Sequence, residues 1–403
     1  MQKSSKILYH LVFFATLSIV VFSLFAIIFP SFLLTTVYPY TTDLQPFESS
    51  VWLAPIISSN SILLIIGFMY YRKKLPHQIY KGIEFIFNFE ISKRTALLTG
   101  VIILVVYVGF SLPELAIDEA TQYDDWIVLE SALEIWPSAD SDDMYINEQN
   151  TRYVRMLLLD ISIDIFQNIK ILPFVASILL VVVTFFLTYQ ITQKRFAGII
   201  SMMVLLQSHT FLHFDTAAVY ENFWVLFYVV SLYMINRKWQ YSSISYLLSI
   251  FSKAFIAVFF LSSLYYICRA TISTRKKLFT LVSYAASLII ILLVFSFGES
   301  IYFDVISISS SEFLLAFNAL GYALRYDLII VLSLLPLTLG LFFKFRKENS
   351  KKIDSILVLI LTALLAGPVI SMLTDFYFIL PYRFLPLIVF VAVGIGVLLS
   401  KKN

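Results

Sequence analysis

Long apolar stretches separated by short polar ones organise the chain. They run at about residues 7–29, 51–71, 96–113, 169–190, 196–213, 218–236, 278–297, 326–344, 355–373 and 383–400. A helix of roughly 20 apolar residues spans the hydrocarbon core of a bilayer, and in lipid only a helix or a closed barrel satisfies its own backbone. The pattern therefore predicts an all-α, polytopic transmembrane helix bundle of about ten crossings. The first run follows Lys3 and Lys6 and imitates a signal peptide. It is too long for an h-region and lacks a small-residue cleavage site, so it is predicted to be a retained helix.

The polar stretches sort by charge. Those at 72–95, 194–195, 237–238, 269–277 and 344–352, with the tail residues Lys401 and Lys402, are rich in Lys and Arg. Those at 30–50, 114–168, 298–325 and 374–382 are acidic or nearly free of basic residues. The positive-inside rule places the first group, and both termini, in the cytoplasm. The expected location is a plasma membrane in a prokaryote, or the endoplasmic reticulum in a eukaryote. One segment breaks the alternation. Tyr241 to Ile267 is apolar except for Lys253, yet both flanks are basic. Two short helices that dip in and return, meeting near Lys253, restore it as one re-entrant helical segment. Lys253 then lines a cavity; the plainer alternative is a lysine that snorkels to an interface.

The one sizeable polar piece, the outer acidic loop 114–168, has its own periodicity. Trp126, Leu129, Leu133 and Trp136 recur at helical spacing, with Asp125, Glu130 and Glu134 opposite. That describes a helix lying along the membrane surface, ended by Pro137 and the turn chemistry of SADSDD at 138–143. Tyr153 to Phe166 reads as a second helix returning to the membrane.

Composition agrees and narrows the function classes. The 403 residues are 60 % hydrophobic and 14 % charged, with a mean hydropathy of +0.86, which excludes a soluble domain. A net charge of +3 spread over loops gives no ground for a nucleic-acid partner. The single Cys268 excludes an intrachain disulfide.

The candidate chemistry lies on the acid-rich side. Asp118 and Glu119 follow the third apolar run directly and precede the surface helix. A carboxylate held there can take the proton of an acceptor hydroxyl or bind a divalent cation. Asp124 and Asp125 are plainer, at the first turn of a helix whose dipole favours them. In SHTFLHFDTAAVYENFW (208–224), Asp215 sits in a turn while Glu221 has entered the next apolar run, where a carboxylate is expensive unless it faces a polar cavity. His209 and His213 are four apart, a weak metal pair better read as interfacial histidines. In TDFYFILPYRFLPLIVF (374–390), Arg383 lies between two prolines. With Arg152, Arg155 and Arg325 it is among the few cations on that side, and an arginine fork suits phosphate.

Three pieces together resemble the GT-C superfamily of integral membrane glycosyltransferases, nearest to the branch of protein O-mannosyltransferases and lipid A aminoarabinose transferases. They are Asp118-Glu119-Ala120 opening the long outer loop, the run from Asn150 through Trp239, and LPYRFLP at 380–386. The similarity covers roughly residues 95–400, leaving 1–94 as an additional N-terminal helix pair before a GT-C-like domain, 95–403. The resemblance implies an inverting enzyme that moves a sugar from a polyprenyl-phosphate carrier to an acceptor hydroxyl on a protein, lipid or glycan. It implies Asp118 as catalytic base, Glu119 shaping the site, Glu221 or Asp215 as a second carboxylate, and Arg383 near the carrier phosphate; Lys253 and Arg325 join Arg383 as candidate phosphate-binding cations on their own residue chemistry. Some relatives use a divalent metal. The outer loop has no DxD triplet before DSD at 140–142, which favours a metal-independent enzyme, with a divalent metal as the alternative. The acidic loop follows the third apolar run rather than the first, and Lys253-Ala254 stands where relatives often carry Lys-Glu. A secondary transporter and a non-catalytic membrane scaffold related to these enzymes are the alternative readings.

Overall fold

The computed structural model describes residues 2–38, 44–137, 143–297, 308–348, 351–374 and 380–401. The acids at 140–142, the stretches 298–307 and 375–379, and Lys402 lie outside the described residues. All regular structure among the described residues is helical. Seven helices are long and apolar enough to cross a membrane: Ile7–Ile28, Leu53–Tyr71, Lys93–Ala116, Ile171–Thr192, Leu328–Glu348, Lys352–Leu373 and Pro381–Leu398. The chain is a helical membrane protein.

Two expected spans come out shorter than their apolar runs. Arg195–Leu205 has 11 residues and Phe223–Arg237 has 15, where the pattern predicts 196–213 and 218–236. The reason lies in the sequence between them. Gln207, Ser208, Asp215, Thr216, Glu221 and Asn222 carry polar groups, and residues 214–222 leave the helix to reach partners for them. Tyr241–Ile267 is likewise divided. Helix Ser242–Ser252 stops at Lys253, whose backbone is extended (φ −159°, ψ 115°), and a 3-10 turn Ala254–Phe259 leads into helix Phe260–Arg269. The Ser252 hydroxyl, turned back onto the Leu248 carbonyl, weakens helix continuation there.

The chain forms two compact units from interleaved segments. The first comprises Met1–Ala96, Thr188–Thr210 and Ile306–Asn403; the second comprises Leu97–Leu187 and Phe211–Val305.

The first unit is centred on helix Leu385–Leu398, in which 12 of 14 residues are buried. Lipid gives helices no hydrophobic reason to associate, so close approach through small residues does the work. A Cβ on Gly396 would lie 2.2 Å from Ser201 Oγ, 2.6 Å from the Ala197 carbonyl oxygen and 2.8 Å from Thr188 Cγ2. Only glycine fits. The N-terminal helix joins this unit through Tyr9, which stacks on Phe345 at 3.6 Å between centroids and donates its hydroxyl to the Phe342 carbonyl at 2.8 Å.

The second unit carries the expected amphipathic helix, Trp126–Ile135. Leu129 and Ala132 are buried while Asp125, Glu130 and Glu134 are exposed. Helix Tyr153–Phe166 follows with the bounds the sequence predicts, closed by Gln167 in the left-handed conformation. Helices Phe223–Arg237 and Ser242–Ser252 pack through serines: Ser249 Oγ reaches the Trp224 carbonyl at 2.6 Å and Ser242 Oγ the Ser231 carbonyl at 2.9 Å.

Candidate functional site

The site is built in the second unit around a stretch of buried, non-helical backbone. Between the short helix His209–His213 and helix Phe223–Arg237, residues Phe214–Val219, Glu221 and Asn222 are all buried. Buried amides and carbonyls outside a helix need partners from elsewhere. Charged side chains provide them. Glu119 accepts the amide protons of Ala218 (3.0 Å) and Val219 (3.2 Å). Arg155 donates to the carbonyls of the same two residues, at 3.3 and 2.7 Å, and pairs through Nε with Glu221 at 2.8 Å. The turn is thus gripped on its N–H side by an anion and on its C=O side by a cation.

Each gripping charge is itself neutralised. Lys170 Nζ lies 3.3 Å from the Glu119 carboxylate and donates to the Glu114 carbonyl (3.2 Å) and Gln122 Oε1 (2.7 Å). Glu119 and Lys170 are each only 2 % exposed, and Arg155 is 1 % exposed. Arg155 also hydrogen-bonds Gln149. Lys253, at the helix break, holds its ammonium 5.5 Å from the centroid of the Trp224 ring. Buried charges of this kind are tolerable only in pairs with further hydrogen bonds, and Glu119–Lys170 and Arg155–Glu221 are such pairs.

Asp215 is held differently. Its carboxylate accepts from Ser111 Oγ at 2.7 Å, its carbonyl accepts from Ser177 Oγ at 2.7 Å, and Ser177 Oγ in turn accepts from Asn222 Nδ2 at 2.9 Å. No cation is paired with it among the described residues. Burial pushes its carboxyl up to about 7, with the Ser111 and Tyr107 hydroxyls pulling the other way and the Glu114 charge adding to the rise. A carboxyl in that range can take or release a proton near neutral pH.

Asp118 and Glu119 are adjacent and opposite in environment. Asp118 is exposed and caps the four-residue helix Glu119–Gln122, accepting from the Ala120 amide at 3.1 Å. Its backbone carbonyl takes the Thr121 hydroxyl at 2.7 Å. Aromatic groups stand nearby: Tyr123 donates to the His213 carbonyl at 3.1 Å and meets Tyr220 edge-on at 5.1 Å, while Tyr220 donates to Asp125 at 2.7 Å. Asp118 is therefore a solvent-facing carboxylate fixed at its backbone by the buried anchor beside it.

The structure brings Glu119, Asp215, Glu221 and Lys253 to one buried stretch, with Asp118 at its exposed edge. Arg383 and Arg325 belong to the first unit. Arg383 sits in the 3-10 turn Pro381–Phe384 over the Tyr382 ring, 5.8 Å from its centroid. Arg325 stands over Tyr322 at 5.4 Å. His209 stacks on Tyr326 and His213 meets Phe214. Among the described residues no group of three or more His, Cys, Asp or Glu is placed to hold a metal.

No family model matches the chain, and no curated protein or solved structure matches it. Residues that sequence reasoning passed over are Lys170, Ser111, Ser177 and Asn222. Lys170 had a signal. A lysine at the mouth of an apolar run demands an anion, and the acidic loop before it offers Glu119. Ser111 and Ser177 had none, because a serine in an apolar helix more often bonds its own backbone.

Proposed function

We propose that the protein is a membrane glycosyltransferase of GT-C type that moves a sugar from a polyprenyl-phosphate carrier to an acceptor hydroxyl on the extracytoplasmic face, with inversion. Asp118 takes the hydroxyl proton as the oxygen bonds to the anomeric carbon. The bond from that carbon to the phosphate oxygen breaks, and the phosphate leaves with the electron pair. Lys253, in the same unit as Asp118, is the cation assigned to the leaving phosphate, whose developing charge it stabilises. Residues 114–168 form the outer loop, both termini are cytoplasmic, and about ten crossings and the re-entrant segment at Lys253 complete the topology.

The observation that carries this reading is the split between Asp118 and Glu119. One carboxylate is exposed and available for proton transfer, while its neighbour is locked to a rigid buried turn that positions it. Catalytic groups need such a second, structural layer to hold them within reacting distance. The test is transfer from a defined polyprenyl-phosphate sugar by the purified protein in vesicles. Wild type should release carrier phosphate in an acceptor-dependent way, and Asp118→Asn should lose at least about 100-fold in rate. An Asp118→Asn protein that stays folded and transfers at near-normal rate would remove the mechanism and leave the scaffold reading. Proton-coupled uptake of a solute into the same vesicles, without transfer, would favour a transporter.

A further inference from the structure

Helix His77–Asn88, of sequence HQIYKGIEFIFN, has no buried residue. At about 3.6 residues per turn its side chains divide into three strips. Tyr80, Glu84 and Phe87 face inward. The Glu84 carboxylate accepts from the hydroxyls of Tyr70 (2.7 Å) and Tyr80 (3.3 Å) and pairs with Lys401 Nζ at 2.8 Å. The Phe87 carbonyl accepts from Lys194 Nζ at 3.1 Å and from the Lys401 amide at 2.9 Å. His77, Lys81 and Asn88 form a polar edge. Ile79, Gly82, Phe85 and Ile86 form an outward, mainly apolar stripe that also carries the exposed Gln78, with half-buried Ile83 at its inner border. Ile79 is 51 % exposed, Phe85 65 % and Ile86 42 %, and a Cβ on Gly82 would meet nothing within 4 Å.

The surroundings say what covers the stripe. The helix begins a few residues after the apolar helix Leu53–Tyr71, of whose hydrophobic window only 11 % is buried within the fold. A tight turn with Lys73 at φ 56° joins them. Exposed cations flank the helix along the chain, Arg72, Lys73 and Lys74 before it, Lys81 within it, and Lys93 and Arg94 after it. The two acids of the same stretch are already engaged, Glu84 by Lys401 and Glu90 by Arg195 at 3.2 Å. An outward, mainly apolar stripe, flanked by cations and adjoining a membrane-crossing helix, is the signature of an interfacial helix on an anionic surface.

We propose that helix His77–Asn88 lies in the plane of the membrane, with Ile79, Gly82, Phe85 and Ile86 in the headgroup–acyl boundary and the flanking cations on anionic lipid phosphates. The inference does not rest on the glycosyltransferase reading. Pinning by Glu84 and Phe87 presents the stripe in a fixed orientation, so it is ready for lipid without refolding.

The test uses the full-length protein carrying Cys268→Ser and one new cysteine at a time: Ile79→Cys, Gly82→Cys or Ile86→Cys on the stripe, His77→Cys or Asn88→Cys on the polar edge. Each is labelled with a polarity-sensitive fluorophore and reconstituted in phosphatidylcholine vesicles with or without phosphatidylglycerol. Chain-brominated lipid should quench the stripe positions several-fold more than the edge positions, aqueous iodide should do the reverse, and phosphatidylglycerol should strengthen the lipid quenching. Replacing Arg72, Lys73 and Lys74 together by Gln should remove the dependence on phosphatidylglycerol. Iodide access to the stripe equal to that at the edge would overturn the proposal, as would a stripe shielded from both quenchers, which means that protein covers it. Lipid quenching indifferent to phosphatidylglycerol would overturn the anionic recognition.

Discussion

The two units solve the same problem, holding helices together in lipid, by opposite means. In the first, helix Leu385–Leu398 meets Arg195–Leu205 through the missing side chain of Gly396, and dispersion across a close seam holds the contact. In the second, the turn around Ala218 and Val219 is held by Glu119, Lys170, Arg155 and Glu221, four buried charges that satisfy one another and the backbone. A small-residue seam tolerates no added atom but carries no charge to expose. An ionic clamp fixes irregular backbone and leaves a costly remainder if any member goes. The clamp is where the fold gives up regular helix, and it is also where Asp118 stands.

The largest effect that separates the two should come from Arg155→Ala. It strands Glu221 and two carbonyls in a buried place, for a loss of about 3–5 kcal/mol, read as failure to recover monodisperse protein or a collapse of the melting temperature in detergent. Next is Gly396→Ala. The new methyl meets the Ala197 backbone oxygen as well as the Ser201 and Thr188 side chains, and the backbone cannot rotate away, so the helices must part, at about 1–3 kcal/mol; thermal unfolding of the detergent-solubilised protein measures it.

The Asp215 substitution sharpens the comparison through pH. The ordinary carboxyl value is 3.8 and burial raises it to about 7. Between those values the folded state keeps a proton that the unfolded chain has lost. The corresponding stability is complete below pH 3.8 and disappears as pH rises through about 7. Asp215→Asn should flatten that decline in melting temperature while leaving the low-pH stability little changed. The smallest effect belongs to Glu84→Gln. Hydrogen bonds from Lys401 and Tyr70 hold that carboxyl down at about 2, yet the pair is only part-buried and solvent screens it, so its loss should shift stability by less than about 1 kcal/mol.

What could be read from the chain follows from the same contrast. Apolar runs declare crossing helices because their period and length are local properties, and Trp126–Ile135 and Tyr153–Phe166 show the same for amphipathic faces. The clamp was only half legible. Glu221 is legible as a carboxylate in an expensive place, Asp215 and Glu119 as acids at the membrane boundary, Lys253 as a lone cation in an apolar run, and Arg155 as one of few outer-side cations. The pairings are not legible, since Lys170 is 51 residues from Glu119 and Arg155 is 66 from Glu221 by residue number, and no periodicity reports a pairing across that distance. The shortening of Arg195–Leu205 and Phe223–Arg237 has the same origin. A run can be apolar enough to continue as helix, and a few buried polar groups inside it can still draw the backbone away.

Under the proposed function two adjacent carboxylates divide the work, Asp118 acting on substrate and Glu119 holding the turn. The measurement is a paired one on Asp118→Asn and Glu119→Gln, each scored for melting temperature in detergent and for sugar transfer in vesicles. The expected result is an Asp118→Asn protein that melts like wild type and does not transfer, beside a Glu119→Gln protein whose melting temperature falls by several degrees because its buried partner Lys170 has lost its anion. An Asp118→Asn protein with wild-type transfer, or a Glu119→Gln protein with unchanged melting, would contradict that division.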